Sequence, residues 1–171
     1  EAIWHELGTN SAILEQFIPF EREVSVVAAR AADGHVECFD VTENEHRDHI
    51  LHRSLAPARI SPQAATDALE TARRVASALD YVGVFAIEFF AVTAGGREHV
   101  YVNEMAPRVH NSGHWTIDGA ETSQFEQHIR AIAGWPLGAT ERHSDARMDN
   151  LIGPEAGDWP RLAAAPGACL H

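Results

Sequence analysis

Two carboxylates in unusual surroundings carry the first chemical signal. Glu88 sits inside an apolar, β-branched and aromatic run, V-F-A-I-E-F-F-A-V, from Val84 to Val92. Glu104 follows a second run, His99 to Val102, after the turn signal Gly95-Gly96. A hairpin would bring the two acids together. An unpaired charge inside an apolar strand is costly, and two close carboxylates repel unless they share a proton or a cation. Either each acid finds an arginine, or the pair holds a hard cation of the Mg2+ kind, which accepts one or two carboxylates plus substrate phosphates. Downstream lie Arg108, His110, Asn111, Ser112 and His114, interrupted only by one apolar side chain before Gly113. Arg108 offers a planar fork of donors to phosphate or carboxylate, and Ser112-Gly113 permits a close backbone turn. A solvated surface loop is the plainer reading of the same residues.

The elements that must position these groups are legible in part. Ser61-Pro62 starts a helix, an N-cap followed by Pro at the first helical position. Ala65, Leu69, Ala72, Val75, Ala76 and Leu79 give it an apolar face. A second helix is expected from Thr122 to Ala133, capped by Thr122, with Phe125, Ile129 and Ile132 as its stripe and Gly134 and Pro136 as its stop. Glu1 to Leu7 looks like the tail of another, stopped by Gly8. Strands are expected at Ala12 to Ile18, Glu23 to Ala31, His35 to Thr42 after an Asp33-Gly34 turn, Leu51 to Ala58 and Met148 to Ile152. Glu43 to Ile50 (E-N-E-H-R-D-H-I) is polar enough to be a loop, as is Ala139 to Arg147. From Gly153 onward Pro, Gly and Ala suggest a boundary. Helix followed at once by buried strand fits a layered α+β or α/β domain.

Composition excludes several classes. A chain of 171 residues suffices for one domain with a real core. The net charge of −12 argues against a general nucleic-acid binder. All thirteen cationic side chains are Arg, so chemistry that needs Lys must come from outside this sequence. Cys38 and Cys169 make no disulfide framework. The eleven histidines are scattered, and no C-x-x-C pair accompanies them. No run reaches transmembrane length. The opening on Glu1 and the close at A-C-L-H suggest a piece of a longer protein.

N-E-M-A-P-R-V-H-N-S-G-H-W-T, residues 103–116, closely resembles the signature loop of the N5-carboxyaminoimidazole ribonucleotide synthases, ATP-grasp ligases of bacterial and fungal purine biosynthesis. The stretches at 15–30, 43–51, 81–90, 123–132 and 150–153 are similar to that family in its order, so the resemblance covers nearly the whole chain. It implies an α+β fold, the C-terminal subdomain of an ATP-grasp unit, mainly antiparallel sheet flanked by helices. Residues 1–152 would be that subdomain and 153–171 the start of another domain. It implies ATP and Mg2+ as cofactors. Glu15, Gln16, Phe17 and Ile18 would line adenine, Glu23 would hold the ribose, and His46 would contact the nucleotide. Glu88 and Glu104 would bind Mg2+, assisted by Asn103. Arg108, His110, Asn111, Ser112 and His114 would face bicarbonate, carboxyphosphate and the phosphate of 5-aminoimidazole ribonucleotide. Trp115 receives no role beyond packing. The resemblance further implies a cytoplasmic homodimer that binds neither nucleic acid nor membrane. Two departures stand out: the family's first lobe, with its phosphate-covering loop and Lys, is missing, and the hairpin around Gly95 to Glu98 is slightly long. Another ATP-grasp ligase, such as a glycinamide ribonucleotide transformylase or a biotin carboxylase, shares the acid pair but not H-N-S-G-H-W. A non-catalytic nucleotide-binding module is the alternative of a different class.

Overall fold

The computed structural model describes residues 6–9 and 11–171. In chain order the strands are β1 (Arg22–Arg30), β2 (Val36–Cys38), β3 (Thr42–Arg47), β4 (Ile50–Ala56), β5 (Gly83–Ala94), β6 (Arg97–Ala106) and β7 (Ala146–Asp149). The helices are α1 (Pro62–Ala78), α2 (Thr116–Gly119), α3 (Gln124–Ile132) and α4 (Trp159–Ala163), with 3-10 turns at Asn111–Gly113 and Gly153–Gly157. One sheet runs β6-β5-β1-β3-β4-β7, with β2 also on β1. Every pairing is antiparallel. This is the expected α+β architecture.

The central strand β1 alternates its side chains between two buried faces. Val24, Val26 and Ala28 join Phe85, Ile87 and Phe89 against α1. The expected cap holds: Ser61 Oγ accepts from Ala64 N at 3.2 Å. The buried seam of α1 is made of alanines, Ala64, Ala68, Ala72 and Ala76, four apart. Small side chains let the helix lie close on the sheet, while Leu79 is exposed rather than part of the stripe. Val27 and Ala29 point the other way, with Val84, Ala86, Phe39 and Trp115. The segment after β6, including α2 and α3, packs over this second face.

Several expected elements are corrected. No strand forms at 12–18, because no strand among the described residues pairs with it. Its apolar side chains stay outside, with Ile13 86%, Leu14 99% and Phe17 85% exposed. Most of the expected helix tail at 1–7 lies outside the described residues. The return strand predicted at 35–42 is only Val36–Cys38. The polar stretch read as a loop is instead β3, joined to β4 by a turn in which Asp48 and His49 have φ of 50° and 63°. Asp and His tolerate that left-handed conformation better than most residues. The alternation in β3 is real, but Thr42 and Asn44 occupy its buried side, so no apolar periodicity betrays it. The strand predicted at 148–152 is shifted to Ala146–Asp149, taking its first two residues from the stretch expected as loop.

Helix α3 is present but turned. Its cap is Ser123, whose hydroxyl accepts from Glu126 N at 3.2 Å, not Thr122. Its buried residues are Gln124, Gln127 and Ala131. Phe125, Ile129 and Ile132, the expected inward stripe, are exposed. The two amides win the inner side because they satisfy backbone groups that burial would otherwise orphan. Gln127 brackets Gly138 by its N–H and carbonyl, at 2.9 and 2.6 Å.

Candidate functional site

The hairpin β5–β6 turns through Gly95-Gly96, with φ of 61° and 78°, as a two-residue loop requires. Its register sets Glu88 directly opposite Glu104. Glu88 also lies opposite Ser25 of β1, and Ser25 opposite Thr42 of β3. Directly opposed residues point to the same face, so Glu104, Glu88, Ser25 and Thr42 form one polar row across four strands. A bulge interrupts the ladder after Glu88: Phe89 pairs with Val102, leaving Asn103 as the extra residue. Strict alternation would send Asn103 and Glu104 to opposite faces. The bulge re-aims them so that both line one cleft.

That cleft, of about 370 Å³, is lined by Glu23, His46, His49, Leu51, Glu88, Asn103, Glu104, His110 and Asn111. A smaller one, of about 230 Å³, is lined by Glu43, Arg53, Arg59 and Arg147 among others. Its arginines already face Glu43, Glu45 and Asp149, so it offers no spare cationic group.

Within the larger cleft the acids are held differently. Glu88 is half-buried, with Oε1 3.0 Å from His110 Nε2. That hydrogen bond outweighs burial and holds the carboxyl below its ordinary range; His46 and Arg108 act in the same direction. Glu104 is exposed. Glu23 Oε2 lies 2.8 Å from His46 Nδ1. Among the described residues, no three His, Cys, Asp or Glu side chains gather as a self-sufficient metal site. Two carboxylates on one face, one with an oxygen left over from its histidine bond, are a donor set that fits Mg2+ completed by phosphate oxygens.

His110 is fixed from three sides. Its backbone is clasped by the Gln124 amide. Its Nδ1 lies 2.8 Å from Ser112 Oγ, and the Ser25 hydroxyl donates to that same oxygen at 2.8 Å. Ser112 is therefore buried beneath the cleft rather than part of its lining. Trp115 is buried too, its indole N–H donating to Thr42 Oγ1 at 3.1 Å and its ring meeting Phe39 edge-on.

The structure thus gathers Glu23, His46, Glu88, Asn103, Glu104, His110 and Asn111 around one cleft. It does not bring the other expected site residues to that lining. Glu15, Gln16 and Phe17 are exposed, and Ile18 is half-buried. The following Phe20 stacks on Phe90, ring centroids 4.4 Å apart, and Phe90 is opposite Glu23. Arg108 is exposed and donates to Val109 O at 3.0 Å. His114 stacks on Phe125 at 5.6 Å; partial burial there and the charges of His110 and His171 lower its pKa. Sequence reasoning missed His49 and Leu51 in the lining, and Ser25, Asn44, Thr42 and Gln124 beneath it. Only the alternation of polar residues along β3 could have signalled Thr42 and Asn44.

A family model described as ATP-grasp domain matches residues 1–125, a span that includes every residue lining the cleft. The chain belongs to the ATP-grasp family. Within it, the N5-carboxyaminoimidazole ribonucleotide synthase of Brucella melitensis is 54% identical over 160 residues, covering 94% of this chain and 43% of that protein. A crystal structure of the synthetase from Thermus thermophilus is 49% identical with a TM-score of 0.83, over 92% of this chain and 42% of that one. The Aspergillus clavatus synthase, solved with ADP and 5-aminoimidazole ribonucleotide, is 32% identical with a TM-score of 0.83, over 92% and 43%. The chain spans under half the length of each relative.

Proposed function

We propose that this chain forms the carboxylate-bearing part of an ATP-dependent carboxylase that converts 5-aminoimidazole ribonucleotide and bicarbonate to N5-carboxyaminoimidazole ribonucleotide through carboxyphosphate. The observation that carries the reading is the opposed pair Glu88 and Glu104 in a cleft that also holds Glu23 and His46. The three similar proteins above, named as synthases or synthetases of that product, support the substrate assignment. Residues 1–152 are the ATP-grasp part and 153–171 begin another unit, in a cytoplasmic homodimer.

The physical problem is charge. An anionic nucleophile must approach a polyanionic phosphate chain. Glu88 and Glu104, with Asn103 beside them, would hold Mg2+, which would supply neutralisation of the phosphate charge. Glu23, steadied by His46, accepts from the ribose hydroxyls. Glu15 to Ile18 line the adenine, at the end of the segment anchored by Phe20. Arg108, exposed and close enough to act on the charge of Glu88, stabilises the transferring group through its fork of donors. His110 and Asn111 face the bicarbonate side, with Ser112 and His114 near them. Catalysis is positioning and electrostatics, and no covalent nucleophile is required.

The test is phosphate release with ATP, Mg2+ and bicarbonate, with and without 5-aminoimidazole ribonucleotide, alongside direct detection of the carboxylated product. Ribonucleotide-dependent product supports the reading. Nucleotide binding with no bicarbonate-dependent turnover in the full-length protein favours a non-catalytic module. Turnover with formate in place of bicarbonate favours a transformylase.

A further inference from the structure

A chain of buried hydrogen bonds runs from β4 to the cleft. Ser54 Oγ donates to Asn44 Oδ1 at 2.8 Å, and Asn44 Nδ2 donates to Ser25 Oγ at 2.9 Å. Ser25 Oγ donates to Ser112 Oγ at 2.8 Å, Ser112 Oγ lies 2.8 Å from His110 Nδ1, and His110 Nε2 lies 3.0 Å from Glu88 Oε1. Ser25, Ser54 and Ser112 are wholly buried, and Asn44 and His110 nearly so. Packing and solubility leave these five polar side chains under a sheet unexplained. Apolar residues would fill the same volume without needing partners.

The direction of the chain follows from its ends. A carboxylate only accepts, so at Glu88 the proton must come from His110 Nε2. In a neutral imidazole Nδ1 then accepts, from the Ser112 hydroxyl at 2.8 Å and, more weakly, from the Ser112 backbone N–H at 3.4 Å. Ser112 oxygen is then free to accept from Ser25, and Ser25 oxygen to accept from Asn44. The hydroxyls could point either way. The amide carries the direction across residue 44, because its two ends differ: nitrogen gives and oxygen accepts. The Asn44 nitrogen faces Ser25 and its oxygen is held by Ser54, in agreement with the Glu88 end.

We infer that Asn44 is a positioning residue: through Ser25 and Ser112 its amide sets the direction of every bond up to Glu88, keeps His110 in the tautomer that donates to Glu88, and leaves the other Glu88 oxygen to a cation. The last step rests on the metal role proposed above; the first two do not. Groups that orient a ligating carboxylate change metal affinity by about 10- to 100-fold when altered.

Asn44→Asp makes the sharp test. When ionised, it keeps the shape but replaces the donor with a second acceptor. Ser25 must then turn its proton to residue 44 and Ser112 its proton to Ser25, so Nδ1 of His110 becomes a donor as well. Nitrogen-15 spectra of the histidine rings in the 171-residue chain, without metal at pH 8, read this directly. In the wild-type chain Nδ1 should give the signal of an unprotonated ring nitrogen and Nε2 that of a protonated one. In Asn44→Asp the Nδ1 signal should move to the protonated range. A wild-type His110 protonated on Nδ1, or an Asp variant whose ring signals match the wild type, overturns the inference. If the Asp variant does not fold, Ser25→Ala cuts the chain without burying a charge. The Nδ1 signal should then shift, and an unmoved signal overturns it equally. Manganese titration in the presence of ADP tests the final step: Asn44→Asp should bind Mn2+ about tenfold more weakly, and unchanged affinity removes the link to the cation. If Glu88→Gln also leaves Mn2+ affinity unchanged, the metal role fails, and the ring signals still decide the role of Asn44.

Discussion

Gln124 holds His110 by both ends of its amide. Its Oε1 accepts from the His110 backbone N–H at 2.9 Å, and its Nε2 donates to the His110 carbonyl at 2.7 Å. A side chain on α3 thus completes the backbone hydrogen bonding of a loop residue, as a neighbouring strand would. The clasp also explains Gly113. A Cβ there would come within 2.8 Å of the Gln124 Oε1 and 3.0 Å of a Val27 methyl. The loop that carries His110 and Ser112 is locked between a glutamine and the sheet.

Gln124→Leu should therefore cost stability out of proportion to a single side chain. It leaves the buried His110 N–H without a partner, worth about 1–3 kcal/mol, while the His110 carbonyl keeps the Gly113 N–H at 3.0 Å. Urea unfolding should show a loss of about 1–3 kcal/mol, where an isolated surface amide would cost next to nothing. A loss below about 0.5 kcal/mol would mean that water replaces the clasp.

Glu88→Gln and Glu104→Gln should each abolish most Mg2+-dependent ADP binding while the circular dichroism spectrum is unchanged. In the carboxylation assay either should reduce turnover by about 100-fold or more. Near-normal activity of one variant at limiting Mg2+ would make that carboxylate structural.

Glu23→Ala should raise the apparent KM for ATP more than that for bicarbonate, because Glu23 is assigned to the ribose. His46→Ala should produce a weaker version of the same effect, and the double variant should be non-additive, since the two side chains share a 2.8 Å contact. Equal increases for both substrates would count against a ribose role.

The Glu88 carboxyl, held below its ordinary 4.5 by His110, contributes stability in a defined pH window. A depressed folded-state value means that the contribution is present above the unfolded value and disappears as pH falls through the folded one. In metal-free urea unfolding, the wild type should exceed Glu88→Gln by about 1 kcal/mol above about pH 5 and converge with it on further acidification. A gap independent of pH between 3 and 7 on this scale would show that the charge is not what His110 recognises.

The two thiols should separate on alkylation. Burial pushes Cys38 up to about 11 despite the opposing influence of Arg73, whereas Cys169 is exposed. The thiolate is the reactive form, so iodoacetamide near pH 8 should label Cys169 well before Cys38. Equal rates would mean that β2 opens readily from β1.

Local chemistry accounts for what was legible in the sequence. Ser61-Pro62, Gly95-Gly96 and the run around Glu88 each act through their own backbone and nearest neighbours, so α1, the β5–β6 hairpin and the opposition of Glu88 to Glu104 could be read from spacing. The distinctive stretch at 103–116 pointed to an ATP-grasp ligase, and the family model matches an ATP-grasp domain.

What only the tertiary structure decided are the places where a polar residue found its partner across the sheet. β3 looked like a loop because Thr42 and Asn44 fill its buried side, and their burial is tolerable only with Trp115, Ser25 and Ser54 at hydrogen-bond distance. The inward face of α3 was misjudged for the same reason: Gln124 and Gln127 serve backbone groups 14 and 11 residues away, and hydrophobic periodicity carries no record of that. Ile13, Leu14 and Phe17 show the converse, apolar side chains left exposed because no strand among the described residues pairs with their segment. Apolar burial follows a period that one segment displays by itself. Polar burial depends on complementary groups brought together by the fold, and a residue alone does not reveal them.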